Sequence, residues 1–380
     1  MSLNHKDLDL KDFMPSCLRV CEDPYPDDKA WGASWSQELR SDDLYALPFV
    51  GNTQLLCYRK GEVSKELFPP CGAAPIKAAQ GEDPCTKMSA QPQKSWEEVL
   101  READNGIESH GRRLSYVTRI GPGNSIVADF IPILWDYDQL SFPRVGHQGQ
   151  KAVINQERAE AAFEFLRHRA STQKAGASVD DFDLAAYLAE DRASMSIVWS
   201  AWAIMLAKQE DLAEHEHLKG TDRQLAFTEV PGEPELGTWL LAVPRDSTRR
   251  QEAEEFVRFA TGKHQIEYAT CYGNPPPLWS VLQALASAQG IKCDDGQEQY
   301  RSAKYQQLFC AQLRALCKAR PRPRTACWKK VEDTLGDYLA KFIASDSNSS
   351  EAVSYLNSQI APLLGPDCTN GGHVVSQRPR

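Results

Sequence analysis

Three stretches of this chain bring tryptophan next to small or acidic residues. Trp135 closes the run Phe130-Ile131-Pro132-Ile133-Leu134 and is followed by Asp136. Trp199 and Trp202 follow Met195-Ser196-Ile197-Val198. Trp239 stands two residues after Gly237 and opens Leu240-Leu241-Ala242-Val243. A buried strand running into an indole places an aromatic at a strand end, facing a cleft. An indole face stacks on the C–H face of a sugar, and the Asp136 and Asp138 carboxylates accept hydrogen bonds from its hydroxyls. The same tryptophans suit ordinary core packing, and the same aspartates suit a solvated turn.

Other chemistry has less support. Two carboxylates two residues apart on a strand share one face at roughly 7 Å. A glycosidase acid/base pair needs roughly 5–10 Å. Asp136 and Asp138 therefore permit an enzyme reading, kept as the third choice. His215 and His217 are also two apart, in a helix-like polar stretch, where a shared metal face needs spacings of three or four. They read as a solvated face. Nucleotide-binding, serine-hydrolase and zinc-protease motifs are all missing. No catalytic residue, metal or cofactor is expected. The eleven cysteines contain no C-x-x-C pair. In a reducing compartment they are mostly thiols, with Cys71 and Cys85 the first pair to test for a disulfide.

The elements that must position these residues come from patterning. Leu44 to Tyr58 gives two short strands, bent at Pro48 and Gly51-Asn52-Thr53, where the chain changes sheets. Residues 1–45 read as mostly helical and 61–94 as an irregular insertion. Ser95 N-caps a helix starting at Trp96, with Glu97 and Glu98 in its first turn. Ile126 to Trp135 is either a buried strand or a short buried helix. Helices follow at 156–170, with Ala159, Ala162, Phe163 and Leu166 inward, and at 250–261, with Ala253, Phe256, Val257 and Ala260 inward. Strands are expected at 195–199 and 236–243, and late helices at 328–343 and 350–361. Arg320-Pro321-Arg322-Pro323-Arg324 reads as a rigid loop. Short strands alternating with amphipathic helices argue an α/β fold.

Composition sets the outer bounds. The 380 residues suffice for about two domains, and 42% hydrophobic with 25% charged residues is a globular balance. A net charge of -9 argues against general nucleic-acid binding. No apolar run approaches the ~20 residues of a membrane span. The first ten residues lack the apolar core of a signal peptide, so the chain is expected to stay in the cytoplasm if Met1 is its native start.

Read in order, several of these stretches resemble the sugar-binding extracellular solute-binding proteins of ABC importers, the maltose-binding-protein-like family. Residues 44–60 resemble the first crossing between lobes, and Ser95-Trp96-Glu97-Glu98-Val99 the helix that follows. Residues 129–135 and 193–202 resemble two further segments. Leu236-Gly237-Thr238-Trp239-Leu240-Leu241-Ala242-Val243 resembles the return crossing, with Gly-Thr-Trp where the family often has Gly-Gly-Trp. Residues 254–261, the Gly273-Asn274-Pro275-Pro276-Pro277 loop and the helices from 320 to 360 complete a match over roughly residues 8–362.

The resemblance implies a periplasmic-binding-protein-like type II fold of two hinged lobes. The first lobe is residues 1–50 plus 236–290, the second is 51–235 plus 300–364, and 365–380 form a tail. It implies a sugar or polyol as ligand, an ABC permease as partner and a periplasmic or extracellular setting. The implied ligand-binding residues are Asn52, Thr53, Trp135, Asp136, Trp199, Trp202, Gly237 and Trp239. About a hundred residues usually precede the first crossing, and here there are some 45. The first lobe is therefore expected to be incomplete, with exposed neighbours along the strand at 236–243. That departure keeps a second reading open, a sensor or interaction protein that reuses the fold without transport.

Overall fold

The computed structural model describes residues 9–19, 46–62, 85, 95–107, 114–121, 123–137, 156–173, 179–211, 224–244, 246–287, 289–293, 298–322, 327–360 and 363. Two compact units emerge: Met1–Thr118 with Asp181–Pro321, and Arg119–Asp180 with Arg322–Arg380. The first carries the strands and the second is helical. This partition differs from the lobe boundaries implied by the resemblance.

The strands are β1 (Ala46–Val50), β2 (Gln54–Arg59), β3 (Met195–Trp199), β4 (Leu225–Glu229), β5 (Glu235–Leu236), β6 (Trp239–Ala242), β7 (Ile291–Lys292), β8 (Glu298–Gln299) and β9 (Arg320–Pro321). The helices are α1 (Pro15–Arg19), α2 (Trp96–Ile107), α3 (Asn124–Tyr137), α4 (Gln156–Ser171), α5 (Asp181–Ala189), α6 (Ser200–Gln209), α7 (Arg250–Thr261), α8 (Lys263–Cys271), α9 (Trp279–Ala286), α10 (Ala303–Lys318), α11 (Trp328–Ile343) and α12 (Ser349–Tyr355). Of the expected N-terminal helices, the described residues hold a 3-10 turn at Leu10–Asp12 and α1.

In the strand-bearing unit, β1 pairs antiparallel with β6, while β2 is central in a sheet of order β3-β2-β4. Gly51-Asn52-Thr53 thus carries the chain from one sheet to the other, as the bend implied. Every residue of β2 is buried, including Gln54 and Arg59. A buried guanidinium needs compensation. Arg59 donates to the Leu188 carbonyl and pairs with Asp191 at 3.4 Å and Glu210 at 3.5 Å. Asp191 sits at φ 61°, a left-handed conformation that aspartate tolerates better than most residues.

Ser95 closes a capping box on α2. Its Oγ accepts from Glu98 N at 3.3 Å, and Glu98 Oε2 accepts from Ser95 N at 2.9 Å. In the helical unit, Ala159, Ala162, Phe163 and Leu166 are all buried, as expected of α4. Phe163 meets Phe130 at 4.7 Å and Phe342 at 5.0 Å between ring centroids. Asn348 Oδ1 accepts from Glu351 N at 2.8 Å and starts α12, which runs into a π-helical turn at Leu356–Ile360.

One open choice is decided and three expectations are corrected. The segment at 126–135 is helix, part of α3, with ten consecutive buried residues. Its fourteen residues exceed the usual strand length. Phe256 faces outward, at 60% exposure, and Phe259 does likewise. Helix α7 contacts β1 and buries only Val257, Ala260 and Thr261, a narrow strip on a sheet that has two strands among the described residues. Arg320 and Pro321 are no loop. They form β9, parallel to β5, with Arg320 N donating to the Pro234 carbonyl at 2.8 Å. Cys85 bonds to Cys317, and a second disulfide joins Cys271 to Cys293. Those four are not thiols, and Cys71 lies outside the described residues, as do Asp138, His215, His217, Arg324, residues 365–380 and most of 61–94. Among the described residues, no helix is long and apolar enough to cross a membrane.

Candidate ligand site

The two crossings meet in the strand-bearing unit. Gly51 N donates to the Pro275 carbonyl at 2.8 Å, and Gln312 Nε2 donates to the Gly51 carbonyl at 3.0 Å. A Cβ on Gly51 would lie 2.5 Å from the Pro276 carbonyl oxygen, so only glycine passes under the proline loop. One residue on, the Asn52 carbonyl accepts from Gly237 N at 3.0 Å, which ties the outgoing crossing to the return crossing. The Asn52 side chain accepts from Ala201 N in the first turn of α6, at 3.3 Å.

Thr53 is fully buried and spoken for. Its N–H donates to Ser200 Oγ at 3.1 Å, and its own Oγ1 donates to the Glu235 carbonyl at 3.0 Å. Ser200 Oγ donates to the Thr53 carbonyl at 2.8 Å, and Glu235 N donates to Gln54 Oε1 at 3.0 Å. Buried polar groups arranged this way hold a fixed geometry, because breaking one leaves another unpaired.

The aromatics stand on this frame. Trp199 ends β3, pairs with Gln54 and precedes α6. Its ring lies against Gly237, where a Cβ would fall 2.6 Å from Trp199 Cζ3. The glycine is required by that close approach of an indole to backbone. Thr238 donates to the Sγ of Cys17 at 3.2 Å, a use for the residue that stands in the family's usual glycine position. Burial raises the Cys17 thiol to about 11. Trp202 is half-buried on α6, and its ring meets Phe182 edge-on at 6.4 Å. Trp239 opens β6 opposite Val50 and is 67% exposed.

Six of the eight expected residues therefore belong to the strand-bearing unit: Asn52, Thr53, Trp199, Trp202, Gly237 and Trp239. Bonds or close contacts join Asn52, Thr53, Trp199 and Gly237 through shared partners. Trp135 and Asp136 belong to the helical unit. The strand end that suggested Trp135 is a helix, and its indole is 1% exposed. Asp136 is partly covered near the end of the same helix, so the strand geometry behind an Asp136–Asp138 acid/base pair is absent. Among the described residues, no group of three His, Cys, Asp or Glu side chains is placed to hold a metal ion.

Sequence reading missed two participants, and with them an aromatic, Phe182, that meets Trp202 edge-on. Glu235 is a fully buried carboxylate beside the crossing, and its place directly before Leu236-Gly237 was the available signal. Ser200 follows Trp199 and reads as a helix start only once Thr53 is known to face it. Phe182 carries no periodic signal, because it lies off the buried stripe of Leu184, Ala185 and Leu188.

The family model described as bacterial extracellular solute-binding protein matches residues 21–266. No curated protein matches the sequence. Among solved structures, maltose-bound MalE3 of T. maritima is 19% identical, with a TM-score of 0.65, over 94% of this chain and 76% of that one. The GacH receptor of Streptomyces glaucescens, solved unliganded and with acarbose, is 17% identical, with a TM-score of 0.62, over 96% and 79%. An ABC transporter solute-binding protein from Agrobacterium radiobacter K84 in complex with ribitol is 14% identical, with a TM-score of 0.62, over 94% and 76%. These likenesses establish the periplasmic-binding-protein-like type II fold. By that fold and the family match, the chain belongs to the bacterial extracellular solute-binding proteins.

Proposed function

We propose that this chain captures a sugar or polyol and delivers it to an ABC importer, with no catalytic step on the ligand. The observation that carries the reading is the Trp199 ring laid on Gly237 where the two crossings are tied together, through Gly237 N on the Asn52 carbonyl and Thr53 Oγ1 on the Glu235 carbonyl. Trp239 adds a largely open indole face on the adjoining strand. An aromatic face beside fixed polar groups is the usual chemistry of sugar recognition. The maltose, acarbose and ribitol bound by structurally similar proteins support the same class.

The mechanism in this proposal is a population shift. A ligand that contacts both lobes binds the closed arrangement more tightly and so favours it. The lobe boundaries are part of the proposal: residues 1–50 plus 236–290 for one and 51–235 plus 300–364 for the other.

Trp239 offers the cleanest test, because an exposed ring can be removed at little cost to the fold. Trp239→Ala is expected to weaken sugar affinity roughly three- to tenfold while leaving the unfolding temperature unchanged. Calorimetric titration that finds native affinity in this variant removes Trp239 from the site.

A further inference from the structure

The proline loop over Gly51 is fastened at one end by a disulfide. Helix α8 ends at Cys271, whose sulfur is bonded to that of Cys293, just beyond β7. From there the chain turns into the loop: Gly273 N donates to the Thr270 carbonyl at 2.9 Å and Asn274 N to the Ala269 carbonyl at 3.1 Å. Pro275, Pro276 and Pro277 have no N–H, so these residues can be held only through acceptors and through the loop's two ends. The Pro275 carbonyl takes Gly51 N and the Pro277 carbonyl takes Met14 N, each at 2.8 Å.

The far end is well seated. It starts α9, which buries Val281, Leu282 and Leu285, and Ser280 N donates to Asp12 Oδ1 at 2.8 Å. The near end has less to hold it, because α8 buries Ile266, Thr270 and Cys271 alone. Three tethers fix its last turn. Tyr300 Oη donates to the Thr270 carbonyl at 2.8 Å, and Lys208 Nζ donates to the Cys271 carbonyl at 2.7 Å. The disulfide is the third tether and the covalent one. A cross-link limits how readily the segment between its ends opens, so cutting it raises the population of locally open states. Cys271 is buried, Cys293 is half-buried and Lys292 is exposed. A thiolate therefore reaches the bond from the Cys293 side, and exchange depends on such access.

We propose that the Cys271–Cys293 bond is a redox-sensitive strut: oxidised, it holds the proline loop on the Gly51 crossing, and reduced by a dithiol, it releases the loop and loosens the ligand site. One thiolate of the dithiol attacks Cys293 Sγ, the bond to Cys271 breaks, and Cys271 leaves as a thiolate that takes up a proton. The second thiol of the reductant then displaces Cys293, which also ends as a thiol. The dithiol gives up two electrons and two protons and becomes its own disulfide. The effect on affinity rests on the carbohydrate reading above, and the release of the loop does not.

The test compares the intact native chain, the same chain at the lowest dithiothreitol concentration that opens this bond, and a Cys271→Ser/Cys293→Ser double variant. Alkylation with peptide mapping reports which disulfides are open. Amide exchange at Gly51 and Met14, followed by NMR, is expected to quicken about tenfold in the reduced chain and in the variant. Leu55 and Leu56 of β2 should keep their native rates. Maltose affinity should fall roughly three- to tenfold in both, because fewer molecules hold the competent site, and dithiothreitol should move neither quantity in the variant. Native exchange at Gly51 in the variant and in the reduced chain overturns the proposal. Quickening shared by β2 also overturns it, because the whole unit then loosens. A released loop with native maltose affinity overturns the link to the site and leaves the carbohydrate reading standing. If the native chain binds no maltose, that result counts against the carbohydrate reading, and the exchange rates decide the strut by themselves.

Discussion

Gly237 and Trp199 show how closely a single residue governs this site. The indole approaches the glycine backbone too closely for any Cβ, so side-chain size at 237 sets where the ring rests. Another residue-scale constraint lies at the C-terminal end of α6, where Glu210 Oε1 accepts from Leu225 N at 2.8 Å and faces Arg59. Burial holds the Glu210 carboxyl above its ordinary value, although the Leu225 N–H, Lys304 and Arg59 pull it down. A folded-state pKa above the unfolded one means that the native state binds this proton more tightly. The stabilising contribution is complete below the ordinary carboxylate pKa and is lost as pH rises through the folded-state value. Acidification from neutrality toward the ordinary carboxylate range should therefore raise the Glu210 contribution. Glu210→Gln keeps an acceptor for Leu225 and should flatten that part of the profile of urea midpoint against pH. The same slope in both proteins would assign the pH dependence elsewhere. The sequence made Gly237, Trp199 and Asn52 legible because local chemistry marks them: a glycine before an indole, and an asparagine in a bend. Glu235 and Phe182 were not legible, because one is a charge in the interior and the other an apolar ring in solvent, each against its residue's habit.

At the scale of elements, the crossing between β1 and β2 is fixed by a neighbouring loop rather than by its own turn. Gly51 passes under Pro276 and Pro277, with backbone atoms 2.5–2.9 Å from where a Cβ would sit. Gly51→Ala should destabilise the chain by about 1–3 kcal/mol through overpacking, read as a lowered urea midpoint. A midpoint equal to the native one would mean that the proline loop yields freely. Periodicity found α4, α11 and the strands β2 and β3 because each buries a regular face. It left α3 undecided because a segment buried all round has no polar face to betray its period. It misjudged α7 because an inward stripe was inferred for a helix whose sheet, among the described residues, covers little of it. The exposed Trp239, Leu240, Phe256 and Phe259 follow from the same thin support. Within the return crossing, Trp239 and Leu240 of β6 are exposed, whereas Leu236 of β5 is buried.

For the whole molecule, the family and the type II fold were legible in the order of weak segments, none of them specific alone. The disulfides were not, because a pairing such as Cys85 with Cys317 spans 232 residues and depends on tertiary placement. Matched solved structures extend beyond the alignment, with 76–79% of their own length covered by this chain. The central claim is that the chain, as it stands, binds a sugar or polyol in its native state. Thermal unfolding of the purified chain against a panel of mono- and oligosaccharides and polyols tests it most directly, because a ligand of the native state alone raises the midpoint by mass action. The account predicts one cooperative transition that a member of the panel moves upward, by a few degrees at about a hundred times its dissociation constant and further as its concentration rises. A cooperative transition that no sugar or polyol moves would contradict it.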